Sequence, residues 1–250
     1  MRHSIDINCD LGEGSPNDAD LMRLISSANV ACGAHAGDAE TMERTVALAI
    51  ENNVAVGAHP GYPDLVNFGR AAMDLASEEI VDIVTGQIYA MSTICVRLGA
   101  RLRHVKPHGA LYNRSAKDAQ TAAAVAKAVF QFDRNLILFG LSGSLSIAEA
   151  ERVGLRTASE VFADRTYLSD GSLTPRSRAD ALIADPGSAS RQAIQMVFER
   201  RVTATDGTPV PICAETICVH GDGDNAVALA NSIRRSLLAE GIEIRCFDDE

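Results

Sequence analysis

Apolar stretches of this sequence repeatedly end in a histidine, aspartate or lysine, with glycine or proline close behind. Asp6-Ile7-Asn8-Cys9-Asp10 runs into Gly12-Glu13-Gly14, and Val30-Ala31-Cys32-Gly33-Ala34-His35 into Gly37-Asp38. Val54-Ala55-Val56-Gly57-Ala58-His59 meets Pro60-Gly61. Leu102-Arg103-His104-Val105 meets Lys106-Pro107-His108-Gly109, and Ile217-Cys218-Val219-His220 meets Gly221-Asp222-Gly223. Proline lacks an N–H and ends a strand ladder, while glycine adopts backbone angles closed to other residues. Each break therefore presents a charged or titratable group at the carboxyl end of a strand, where α/β proteins build their sites.

Asp10, His35 and His59 hold matching positions after the first three such strands. An aspartate with two imidazoles can ligate a divalent metal or hydrogen-bond a substrate directly; no H-E-x-x-H spacing decides for the metal. Lys106 can polarise a carbonyl or hold an anion, and His108, just past a rigid proline, can shuttle protons near neutral pH. His220 and Asp222 form a similar pair. Glu13, between glycines, is free to be aimed inward as a general base on water. Arg165 suits bidentate binding of a carboxylate, or else a solvated ion pair. Asp38, Asp64 and Asp222 serve equally well as helix or turn caps. His3 and His104 read as structural. Neither Gly12-x-Gly14 nor Gly221-x-Gly223 is a phosphate loop, and Gly140-Leu141-Ser142-Gly143-Ser144 is not the G-x-S-x-G elbow of serine hydrolases.

Strands and helices must alternate to position these groups. Strands are expected at Ile5–Cys9, Val30–Ala34, Val54–Ala58, Leu102–Val105, Leu136–Phe139, Leu155–Ser159 and Ile217–Val219, with Glu160 just beyond the sixth. Between them lie amphipathic segments, the longest opening at Ser77 and ending at Gly99. Asp38, the Ser115–Asp118 stretch and Asp185-Pro186 open others, and Asp224 or Asn225 opens the last. An irregular region is expected at Val161–Asp185, a small hairpin around Asp206-Gly207 and a final short strand at Ile242–Cys246. The alternation implies a parallel sheet with helices outside. Polar residues end nearly every strand, which favours closure into an irregular seven-stranded (β/α) barrel, a single domain over residues 1–250, rather than an open sheet with one switch point.

Composition narrows the partners. The formal charge of −10 argues against nucleic acid. No apolar run approaches the ~18 residues that span a bilayer, so no membrane partner is expected. Six scattered cysteines without a C-x-x-C, and an N-terminus leading directly into a strand, fit a reducing cytoplasm.

Taken with Phe162-Ala163-Asp164-Arg165 and Val219-His220-Gly221-Asp222, three longer blocks resemble the LamB/YcsF family. These are Asn8–Glu13, Ala31–Asp38 and His59–Asp64. Val105-Lys106-Pro107-His108-Gly109-Ala110-Leu111-Tyr112-Asn113 is a fourth, and the order of the blocks is the family's. The resemblance implies a place in an ATP-dependent 5-oxoprolinase, which opens the lactam of 5-oxo-L-proline to L-glutamate while ATP, a co-substrate, is split to ADP and phosphate. It implies two partner subunits, B and C, and a barrel similar to those of glycoside hydrolases and deacetylases. Catalytic roles then fall to Asp10, Glu13, His35, His59, Lys106, His108 and His220. Arg165, Asp38, Asp64, Tyr112, Asn113 and Asp222 are expected at the substrate. A stand-alone metal-dependent hydrolase or deacetylase, and a subunit that binds lactam without catalysis, are the alternatives.

Overall fold

The computed structural model describes residues 4–221, 223 and 225–247. In chain order it begins with β1 (Ser4–Leu11), α1 (Asp18–Met22), β2 (Ser27–Ala31), α2 (Ala39–Glu51), β3 (Ala55–His59) and α3 (Ser77–Leu98). Then come β4 (Leu102–Val105), α4 (Gly109–Ser115), α5 (Ala119–Phe132), β5 (Ile137–Leu141), α6 (Leu145–Arg152) and β6 (Arg156–Phe162). The last part holds α7 (Pro186–Glu199), the hairpin β7 (Arg201–Thr203) and β8 (Pro209–Pro211), β9 (Thr216–Val219), α8 (Ala226–Ala239) and β10 (Glu243–Ile244). Strands β1 to β6 pair in order, all parallel, and β9 pairs with both β6 and β1, so seven strands close into the expected barrel. The two-residue β10 adds to β1 at Ser4 and Ile5.

Local signals start and stop the helices. Asp38, Asp118 and Asp185 each accept a backbone N–H three residues on, capping α2, α5 and α7. Glu79 accepts from Ala76 N–H at the start of α3, and Gly99 ends that helix with φ +76°. Ile80, Val84, Ile88 and Met91 form the buried face of α3, which packs along α5. By length and composition alone, α3 would be long and apolar enough to cross a membrane.

The apolar core lies outside the ring, between strands and helices. On β1, Ile7, Cys9 and Leu11 are fully buried in it, while the alternate residues Asp6, Asn8 and Asp10 reach side chains from across the barrel. The lumen is therefore polar. Asp6 accepts hydroxyl bonds from Ser26, Ser27 and Thr216. Asn8 donates to Glu160 Oε1 at 2.9 Å and Asn29 donates to Asn8 Oδ1 at 2.8 Å. His104 Nε2 donates to Asn29 Oδ1 at 2.8 Å, and its ring stacks on Phe139 with centroids 4.2 Å apart. Gly57 makes room for it, because a Cβ there would fall 2.1 Å from His104 Nε2.

Several expected boundaries move. The second strand is Ser27–Ala31, not Val30–Ala34, because Ser27 and Asn29 find partners in the lumen that a local pattern does not reveal. The sixth continues through Phe162, so Glu160 lies inside it rather than after it. Helix α4 follows His108 directly, where no helix was expected. The final strand is shorter than expected. The irregular region spans residues 163–185, pinned by bridges between Arg165 and Leu182 and between Tyr167 and Leu173. Asn225 occupies the N-cap position of α8 without a side-chain bond; His3, Asp222 and Asp224 lie outside the described residues.

The packed lumen sets two expectations for stability. Gly57→Ala is expected to lower the unfolding free energy by about 3 kcal/mol, read by chemical denaturation, since neither strand nor stacked ring can yield. Burial pulls the His104 imidazole down from 6.5 to about 3, so the folded protein keeps it neutral where the unfolded chain protonates it. Its contribution is complete above pH 6.5 and is lost at about 1.4 kcal/mol per pH unit as the pH falls toward 3. His104→Gln, which retains a donor for Asn29, should flatten the fall in stability below pH 6.5 by about one proton's slope relative to the unsubstituted chain.

Candidate active site

The carboxyl ends of the strands bring most of the expected residues to one cleft of about 690 Å³. Asp10 comes from the end of β1, His59 is the last residue of β3, Lys106 and His108 follow β4, and His220 follows β9. Glu13, from the loop after β1, also faces the cleft, as do Tyr112 and Asn113 of α4 and Arg165 of the irregular region.

Lys106 is buried at the centre. Its ammonium lies 2.9 Å from Asp10 Oδ1 and 2.9 Å from Glu160 Oε1, and donates to Cys218 Sγ at 3.0 Å. Burial pulls this amine down, but Asp10, Cys218 and Glu160 outweigh it and hold the charge well above the ordinary lysine range. An ammonium has three protons. With four acceptors around it, Asn8 Oδ1 at 3.3 Å being the fourth, Lys106 positions Asp10 rather than offering a donor to substrate. Asp10 also accepts from Asn29, which leaves Oδ2 facing His59 Nε2 at 3.3 Å. Burial pushes Asp10 up, yet His59 and Lys106 together keep it well below the usual carboxylate value.

The histidines are set by backbone carbonyls. His59 Nδ1 donates to Lys106 C=O at 2.7 Å and His108 Nε2 donates to Phe68 C=O at 2.9 Å. The other nitrogens of the two rings, His59 Nε2 and His108 Nδ1, face each other at 2.9 Å. Glu13 Oε1 lies 3.0 Å from His35 Nε2 and 3.1 Å from His108 Nδ1. Burial raises Glu13, but the bonds from His108 and His35 dominate and depress it strongly. Burial lowers the His35 imidazole to about 4. His35 stacks flat on His108, centroids 3.7 Å apart. Gly109, with φ +53°, lets α4 begin immediately after His108; a Cβ there would lie 2.7 Å from Gly69 O.

On the opposite wall, Asp164 accepts from the backbone N–H of His220 at 3.0 Å and from its Nδ1 at 2.8 Å. Burial raises Asp164, and the His220 charge and hydrogen bonds bring it below the ordinary aspartate value. The pair is an imidazole oriented by a buried carboxylate, the arrangement of a general acid or base. Arg165 is committed differently from the expectation. Its Nε and Nη2 donate to the carbonyls of Ala181 and Thr174, so the guanidinium ties down the irregular region from the cleft wall.

Two expected residues stand apart from the cleft. Asp38 caps α2 by accepting from Thr41 N–H at 2.8 Å, and Asp64 accepts from the backbone and side chain of Asn67. Four residues outside the expected set belong to the site's framework: Asn8, Asn29, Glu160 and Asp164. The alternation Asp6-x-Asn8-x-Asp10 was a visible signal for Asn8. Glu160 was visible only as a polar residue near the end of the sixth strand, and its role follows from Lys106 lying against it.

Lys106→Met is expected to destabilise the chain by about 3–5 kcal/mol, because Glu160 would keep a buried charge without its cation. Lys106→Met combined with Glu160→Gln should recover a large part of that loss in the same denaturation assay. An additive double variant would show that the two groups are uncoupled.

The sequence profile of the LamB/YcsF family matches residues 5–250. The A subunit of a 5-oxoprolinase from Bacillus subtilis (strain 168) is 50% identical over 251 residues, which covers 98% of this chain and 98% of that one. A lactam utilization protein from Thermus thermophilus, known as a crystal structure, superposes with a TM-score of 0.91 at 44% identity, covering 97% of this chain and 99% of that one. A T48 deacetylase solved with substrate has a TM-score of 0.52 at 13% identity, over 99% of this chain and 89% of its own, a likeness of fold alone. The profile match over nearly the whole length, with identity near one half to a full-length relative, leads to one conclusion: the chain belongs to the LamB/YcsF family.

Proposed function

We propose that this chain is the lactam-opening subunit of an ATP-dependent 5-oxoprolinase, working with partner subunits B and C on 5-oxo-L-proline. The observation that carries the reading is the pairing, across one cleft, of a carboxylate set among three histidines with a carboxylate-oriented imidazole, Glu13 on one wall and His220 on Asp164 on the other. A relative named as a 5-oxoprolinase A subunit, together with a lactam utilization protein of nearly the same length, supports the substrate.

Opening an unstrained lactam needs an electrophilic carbon, a water stripped of its proton and a protonated ring nitrogen. Transfer of the terminal phosphoryl group from ATP to the lactam oxygen supplies the first. Water then adds to that carbon. The ring contacts of Glu13 all use Oε1, so Oε2 is the atom placed to take the proton of the water. Collapse of the adduct breaks the C–N bond, His220 gives a proton to the departing nitrogen, and an acyl phosphate remains. A second water converts it to the glutamate side-chain carboxylate and phosphate. No phosphate-loop motif occurs in the sequence, so in this reading the nucleotide is not held by a loop of that kind in this chain.

The test is ATP-dependent glutamate release from pyroglutamate by the co-purified complex of this chain with subunits B and C. Glu13→Gln and His220→Asn are each expected to cut turnover by about 10²-fold or more. Undiminished ATP-coupled turnover in both variants would remove the assignment. Release of glutamate by the isolated chain without ATP would favour a stand-alone hydrolase instead.

A further inference from the structure

The three-histidine nest faces two carboxylates, Glu13 and, 3.3 Å from His59 Nε2, Asp10 Oδ2, and its contacts close only around a cation. Carbonyl oxygens only accept, so Lys106 C=O and Phe68 C=O fix the protons of His59 on Nδ1 and of His108 on Nε2. The remaining nitrogens then present lone pairs to each other at 2.9 Å. Two lone pairs at that distance repel unless a cation lies between or beside them. Glu13 Oε1 lies 3.1 Å from one of these nitrogens and 3.6 Å from the other, and 3.0 Å from His35 Nε2. All four donor atoms fall within 4.8 Å of one another.

We infer that Glu13, His35, His59 and His108 form a binding site for one divalent transition-metal ion of the zinc type. Metal–ligand bonds of about 2.0–2.1 Å in a tetrahedron require donors about 3.3 Å apart; four of the six edges measure 2.9, 3.0, 3.1 and 3.6 Å and bracket that value, and the stacked rings of His35 and His108 must turn out of parallel for both to reach one ion. The backbone carbonyls behind His59 and His108 are the outer partners that metal-bound imidazoles ordinarily have. His35 can join without losing another bond: its Nδ1 is buried without a partner, so its proton can move there and free Nε2 as a donor. Three imidazoles and one carboxylate suit zinc, cobalt, nickel or iron, whereas a magnesium or calcium site would be built of oxygens.

The nest is built rather than incidental. Gly61 and Gly69 pack against the rings so closely that a Cβ would fall 2.8 Å from His35 Nδ1 and 2.8 Å from His35 Cβ respectively. The neighbouring set Asp10, Cys218 and His220 is a poorer candidate, because the Lys106 ammonium already lies against Asp10 and Cys218 and supplies the positive charge there. A metal in the nest leaves Glu13 Oε2 directed to the water of the proposed reaction, but the inference stands on the donor geometry and not on the identity of the substrate.

The decisive measurement uses the full, untagged chain alone, without lactam, ATP or partners. After chelation and desalting, titration calorimetry with Zn²⁺ and the visible d–d absorption of added Co²⁺ are read together. One equivalent bound, with the intense visible bands of a four-coordinate cobalt site, is expected. Glu13→Gln and His108→Gln, each confirmed as folded by circular dichroism, should weaken binding about 10²-fold or more. Failure of the unsubstituted, folded chain to bind either ion at millimolar concentration would overturn the inference and leave a proton shared between His59 and His108 as the cation. Binding unchanged in both variants would also overturn it, by placing the metal elsewhere.

Discussion

The site depends on one cation held inside a ring of strands. The Lys106 ammonium spans two carboxylates from different strands, Asp10 on β1 and Glu160 on β6, each at 2.9 Å. Burying three charges is costly unless each is paired and the remaining lone pairs are filled. Asn8 donates to Glu160 Oε1 and Asn29 to Asp10 Oδ1, while Glu160 Oε2 is buried without a hydrogen-bond partner. The consequence reaches the surface of the cleft. With Oδ1 committed to Lys106 and Asn29, Asp10 has one direction left for Oδ2, toward His59. The orientation of the outermost acid–base groups is thus inherited from a polar layer several residues deeper in the barrel.

That inheritance continues through ring tautomers. The Lys106 backbone carbonyl fixes the proton of His59, and the carbonyl of Phe68 fixes that of His108. A loop and a strand end therefore decide which nitrogen each imidazole offers to the cleft. The second wall is organised in the same way, with the buried Asp164 carboxylate holding His220 by both its ring and its backbone N–H. The two walls differ in charge. Glu13 and Asp10 are held as carboxylates by the cations and donors around them, while His220 is oriented by the buried Asp164. The proposed lactam opening would use the two walls differently, Glu13 toward the entering water and His220 toward the leaving nitrogen.

Compactness around these rings relies on glycine. Gly57, Gly61, Gly69 and Gly109 each lie where a side chain would collide with a histidine ring or with backbone at 2.1–2.9 Å. The lumen of a seven-stranded barrel is narrow, and His104 fills it at the level of Gly57, stacked on Phe139. Above that level the polar residues converge on the cleft.

Much of this was legible in the chain itself. Apolar alternation and breaks after each strand determine the barrel and the carboxyl-end placement of Asp10, His59, Lys106, His108 and His220, because strand periodicity and the conformations of proline and glycine are local properties. His104 could be read as structural for the same reason, lying inside a strand. The partners were not legible. Asp38 looked as suited to substrate as to capping, and Thr41 N–H settled it; Arg165 looked like a carboxylate clamp, and the carbonyls of Ala181 and Thr174 claimed it. Glu160 and Asp164 gained meaning when folding set them against Lys106 and His220, more than fifty residues away in each case. Residue types and strand ends are written along the chain, but which charge neutralises which, and which nitrogen keeps its proton, are decided by distances that exist only after the ring has closed.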